Sequence, residues 1–108
     1  MREETVLRQH LEQLKTVLQR VGDDHWGLID RALGGSEENL RAFLISNELW
    51  GGAGSIADQA GYEQGREVKR LIEAAMINLG EWQIEAGIAN ARTGMWVDVF
   101  HEWQRNGI

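Results

Sequence analysis

The chain has no cysteine and no proline in its 108 residues. Without thiols there is no disulfide framework, no thiolate nucleophile and no cysteine-ligated metal, a pattern that fits a reducing compartment. Without proline the turns must rely on flexible residues, and glycine supplies them at 13 positions. No apolar run approaches the roughly 18 residues of a membrane span. The basic-then-apolar opening of a secretory leader is missing from Met1 to Thr16, so the expected location is cytoplasmic and no membrane partner is expected. Bases are scarce too: 11 Lys and Arg face 17 Asp and Glu, a net charge of -6. Phosphate backbones are bound chiefly by Lys and Arg, so nucleic acid is not an expected partner. Finally, no β-branched alternating stretch is long enough to make a strand.

What is present describes one helical domain spanning residues 1–108. Hydrophobic residues make up 43% and charged residues 26%, the balance of a globular protein with a single core. Leu7, Leu11, Leu14, Leu18 and Val21 recur at steps of four and three, with Val6 and Val17 widening the stripe. That spacing predicts an amphipathic helix from Glu3 to Val21, ended by Gly22 in a left-handed cap. His10 borders the stripe and reads as a boundary residue. Asp23 or Asp24 can cap a short helix from His25 to Leu33, with Trp26 as a core anchor. Ser36 caps a third, from Glu37 to Leu49, which has two acids in its first turn where the helix dipole favours them. Glu37 and Arg41 form an outward i,i+4 pair on it.

Gly51-Gly52-Ala53-Gly54 then interrupts the helical pattern, since glycine costs a helix interior about 1 kcal/mol per position against alanine. Ser55 and Asp58 have the spacing of a capped helix start, so a short helix from Ser55 to about Ala60, closed by Gly61, follows the loop. Beyond Tyr62 the register Val68, Ile72, Ala75, Leu79, Trp82, Ala86, Ala89, Thr93, Trp96, Phe100 and Trp103 is coiled-coil-like. One helix through it would be about 60 Å long at roughly 1.5 Å per residue, too long for a domain this small. Gly80, Gly87 and Gly94 repeat within it, either as a smooth ridge for close helix approach or as breaks. The expectation is a long helix from Gln64 to Arg92, a break at Gly94, and a final helix from Met95 to Arg105 with Trp96, Val99, Phe100 and Trp103 inward. The fold class is therefore all-α: an irregular bundle of four main helices plus one or two short ones, one helix long and heptad-patterned.

Chemistry is sparse by comparison. Ser36, Ser46 and Ser55 and the three histidines form no nucleophile elbow, and the glycine loop lacks the lysine and upstream strand of a P-loop. Asp98 and His101 share a helical turn but only approximate half of a bundle metal site. No catalytic residue, metal ligand or cofactor is assigned. The candidate contact residues are Glu48, Trp50, Gly51, Gly52, Gly54, Ser55 and Asp58, with Trp50 chosen as an exposed anchor because glycines cannot cover it; a ring plugging the bundle end is the alternative.

Leu49, Gly51, Gly52, Gly54, Ser55 and Asp58 resemble a Leu-aromatic-Gly-Gly-x-Gly-Ser-x-x-Asp motif found in a group of small bacterial proteins of uncharacterised function. The similarity spans about residues 22–58 and departs at Ala53, where Met is common, and at Ala57, where Asn is common. Some of those proteins are suspected to be immunity or accessory proteins encoded near toxins, which implies a protein partner. With the acidic charge, that gives a small module binding another protein, a basic one being favoured by charge. Anion or small-ligand binding (or an enzyme) at Gly51 to Ser55 is the first alternative, and homo-oligomerisation along the glycine ridge the second.

Overall fold

The computed structural model describes residues 2–60 and 64–107. Six helices and no strand occur among them: α1 Arg2–Arg20, α2 Trp26–Leu33, α3 Glu37–Leu44, α4 Ile56–Gln59, α5 Arg66–Ala86 and α6 Thr93–Asn106. Among the described residues no helix is long and apolar enough to cross a membrane. The body measures 37 × 26 × 24 Å.

The α1 stripe packs as its spacing requires. Leu7, Leu11, Leu14 and Leu18 are all buried, and α1 lies against both α2 and α5. Gly22 (φ 76°) turns the chain out of α1, and Asp23 Oδ1 accepts the His25 backbone N–H at 2.9 Å in the turn before α2. Two polar contacts tie α1 to α2: Arg8 Nη1 donates to the Leu33 carbonyl and Lys15 Nζ to Asp30 Oδ1, each at 3.0 Å. Trp26 is partly buried against the core. Ser36 caps α3 by accepting the Asn39 N–H at 3.1 Å, and Glu37 and Arg41 pair at 3.6 Å.

Several expected boundaries differ; besides shifts of one or two residues at the ends of α1, α2, α5 and α6, three bear on the site. α3 ends at Leu44 rather than Leu49, because its last carbonyls bond elsewhere: Ser46 Oγ donates to Phe43 at 2.6 Å, and amides from α5 and the α5–α6 turn take Leu44, Ile45 and Ser46. The long helix ends at Ala86 rather than Arg92, so the break falls at Gly87 and not at Gly94. Gly87 (φ 76°) donates to the Ile84 carbonyl and Ile88 N–H to Gln83 at 2.8 Å, the paired bonds of a Schellman stop with Ile88 as its hydrophobic closer. The short helix runs only from Ile56 to Gln59, and the Gly61 and Tyr62 expectations lie outside the described residues.

The heptad register also changes meaning. α5 is covered by α1 on one side and α6 on the other, so it buries Ile72, Glu73, Ala75, Met76, Ile77, Leu79, Gly80 and Gln83, more than one seam would. Trp82, a seam position, is only half-buried and faces α1, its ring centroid 6.1 Å from His10. On α6, Val97 joins Phe100 in the core, while Trp96, Val99 and Trp103 are half-buried.

Candidate functional site

The glycine loop is clamped between helices. Its centre is Trp50, which is 0% exposed and lies against Phe100 (centroids 6.4 Å) and Gly80. A Cβ on Gly80 would come within 2.5 Å of Val97 Cγ2 and 3.0 Å of the Trp50 ring, so this glycine admits the indole between α5 and α6. Of the two readings of Trp50, the ring that plugs the bundle end is therefore the one found, and not the exposed anchor. A large apolar ring at a helix end is drawn inward when the facing helix supplies both a gap and a polar partner for its N–H.

That partner is Gln83, itself 0% exposed. Its Oε1 accepts Trp50 Nε1–H at 2.8 Å, and its Nε2 donates to the Leu44 carbonyl at 3.0 Å and the Ile88 carbonyl at 2.8 Å. One side-chain amide thus joins α3, the loop, α5 and the turn after α5. Asn90 makes the matching clamp. Its Nδ2 reaches the carbonyls of Trp50 at 2.9 Å and of Ile45 and Ser46 at 3.2 Å, while its Oδ1 accepts the N–H groups of Arg92 at 2.8 Å and Thr93 at 3.1 Å. The end of α3 and the start of α6 are capped by the same residue. Trp96 Nε1 completes the set by donating to the Gly51 carbonyl at 2.9 Å.

Glycine at 51 is required by space. A Cβ there would fall 2.1 Å from the Asn47 carbonyl oxygen. Gly54 is required by conformation, at φ 90°, whereas Gly52 has neither constraint beyond the flexible Arg92 guanidinium at 3.0 Å. Several of the N–H groups that could have received an anion are already bonded. Gly54 donates to Asp58 Oδ2 at 3.2 Å, Ser55 to the Gly52 carbonyl at 3.1 Å, and Asp58 to Ser55 Oγ at 3.2 Å. Ile56 and Ala57 donate to the carbonyls of Glu48 and Leu49 at 2.8 and 3.1 Å.

The seven candidate contact residues consequently do not share one surface. Trp50, Gly51 and Ser55 are buried; Glu48, Gly52, Gly54 and Asp58 are exposed. Glu48 lines a groove of about 380 Å³ between α2 and α3 with Leu28, Arg31 and Phe43. Of the two readings of the repeated glycines, a continuous ridge is not formed: Gly80 is buried inside the monomer, Gly87 is a helix stop and Gly94 lies in the first turn of α6. No group of three potential metal ligands occurs among the described residues, and His101 Nε2 lies 3.1 Å from Glu81 rather than pairing with Asp98.

A different surface gathers charge and apolar area. The His101–Glu81 contact and the approach of Ile84 Cδ1 to Gly94 bring the outer sides of α5 and α6 into one face. It exposes Glu81, Glu85, Asp98 and Glu102 around Ile84 (48% exposed) and Met95 (51%), with no Lys or Arg in residues 81–85 or 94–102. The sequence signal was present as acids at positions 81, 85, 98 and 102, but joining them across two helices required the stop at Gly87. No protein-family model matches this chain, and neither does any curated protein or solved structure.

Proposed function

We propose that the protein is a small acidic binding module that engages a basic protein segment through the outer face of α5 and α6, in the manner of an immunity-like or regulatory inhibitor acting in the cytoplasm. The observation that carries this reading is the composition of that face: two large apolar side chains, about half exposed, among four carboxylates, with the exposed Arg92 and Arg105 lying just outside residues 94–102. Exposed apolar residues supply contact area, and the surrounding negative charge accelerates encounter with a positive partner and rejects acidic ones. The Gln83 and Asn90 clamp supports the same reading, because it fixes the helix pair that presents the face and lowers the ordering cost of binding. The glycine loop serves here as scaffold. Anion binding at that loop finds no support in its N–H groups, several of which already have internal partners.

A direct test titrates the labelled protein with a synthetic amphipathic Lys/Leu helix and with its Glu/Leu counterpart. The reading predicts amide shift changes confined to residues 81–85 and 94–102 with the basic peptide only. They should weaken as salt shortens the screening length and be lost in the Glu85→Lys/Asp98→Lys variant. Shifts scattered over the surface, or equal responses to both peptides, would contradict it.

A further inference from the structure

Glu73 is a buried acid of the α5–α6 interface without a well-formed hydrogen bond to its carboxyl, Gln104 being the nearest neutral donor. It is 3% exposed, and neither carboxyl oxygen has a hydrogen-bond partner. The groups that could serve it are engaged elsewhere. Lys69, one turn earlier on α5, holds its ammonium 4.8 Å from the centroid of the Trp103 ring. Arg70 reaches toward the C-terminal stop of α6, where its Nη2 lies 3.2 Å from the position a Cβ on Gly107 would take. Gln104, the neutral neighbour from α6, donates its amide N–H to the Arg70 carbonyl at 3.3 Å. From α1, the buried leucine stripe packs toward α5, and His10 lies against Trp82. Burial pushes the Glu73 carboxyl above its ordinary range, and the nearby Lys69, Gln104 and Arg70 oppose that only in part.

We propose that Glu73 is a proton-operated latch between α5 and the C-terminal turns of α6, closed when its carboxyl is neutral and released when it ionises. A buried carboxylate without a donor is costly, whereas the neutral acid is far less so. Ionisation is relieved most directly by drawing Lys69 off Trp103 or by admitting water where Gln104 meets Arg70. Either movement loosens α6 from about Trp103 onward and leaves its Gly94 end, held by Asn90 and Trp96, in place. Because the folded-state affinity for the proton is the higher one, the latch contributes stability fully below the unfolded glutamate range, and this is lost as pH rises through the folded value.

The test follows the full chain from about pH 5 to about pH 8, where the ordinary carboxylates are already ionised. The Glu73 carboxyl carbon is titrated by NMR, and amide exchange, corrected for its intrinsic pH dependence, is compared between residues 93–97 and 103–106. Wild type should titrate Glu73 above the ordinary glutamate range and lose protection at 103–106, with 93–97 unchanged. The loss should be about tenfold for each pH unit by which the measured Glu73 midpoint exceeds that of an ordinary glutamate. Glu73→Gln should hold 103–106 protected throughout. A Glu73 titration at or below the ordinary range, or equal loss of protection in wild type and Glu73→Gln, overturns the proposal. The carboxyl titration needs no variant, so it decides the matter even if Glu73→Gln fails to fold.

Discussion

At the Gly87 end of the α5–α6 pair, Gln83 and Asn90 are amides whose nitrogens and oxygens all meet partners, among them Trp50, Leu44, Ile88 and Thr93. Near the Gly107 end, Glu73 is buried to a similar degree and meets none. The same helix therefore carries a satisfied polar residue and an unsatisfied one ten positions apart. A satisfied buried polar group rigidifies and specifies its surroundings, whereas an unsatisfied one stores a cost that any opening relieves. The contrast divides the molecule into a locked end, where the glycine loop sits, and an end whose closure depends on a proton.

Substitutions should separate the two ends by magnitude. Trp50→Ala removes the largest fully buried side chain and leaves Gln83 Oε1 without its donor, so a loss of about 3–5 kcal/mol is expected in urea unfolding. A loss under about 1 kcal/mol would mean that the loop is not locked at all. Gly51→Ala, which places a methyl against the Asn47 backbone, should cost about 3 kcal/mol or more, while Gly52→Ala should stay within about 1 kcal/mol because only the mobile Arg92 side chain must move. Similar costs at the two glycines would show that the loop has moved away from Asn47. Asn90→Ala strips partners from the end of α3 and the start of α6 and should cost about 1–3 kcal/mol. At the opposite end, Gln104→Ala breaks one exposed hydrogen bond and should cost no more than about 1 kcal/mol. A larger effect there would erase the contrast.

Much of the locked end's outline is readable from the chain. Ser36 and Ser55 cap because a hydroxyl before an acidic first turn leaves little else for the N–H groups to do, and the α1 leucines keep one face because nothing interrupts their spacing. What stays hidden depends on residues distant in sequence. Gln83 reads as an ordinary polar helix position until Trp50, 33 residues away, is placed beside it. Asn90 falls inside the long helix expected from Gln64 to Arg92, and only the turn after Gly87 frees it to cap two helices at once. The stop at Gly87 is masked by a heptad that continues across it, although Gly87 followed by apolar Ile88 is the local signature of a Schellman end. The glycines around Trp50 leave both an exposed ring and a plug of the bundle end open, and Gly80 on α5, which makes the space that covers the ring, decides between them. For the candidate contacts, Glu48, Gly52, Gly54 and Asp58 are indeed at the surface, but the acidic face of α5 and α6 emerges only once the fold joins its two halves.

The comparison is tested most directly by placing leucine at both buried polar positions and measuring unfolding free energy side by side at neutral pH. Gln83→Leu orphans the Trp50 N–H and the Leu44 and Ile88 carbonyls, and each orphaned group costs about 1–3 kcal/mol, so strong destabilisation is expected. Glu73→Leu removes a buried group that has no partner to orphan and should leave the protein equally stable or more stable. Opposite signs, or a loss at Gln83 beside no loss at Glu73, match the account; comparable destabilisation by both would contradict it.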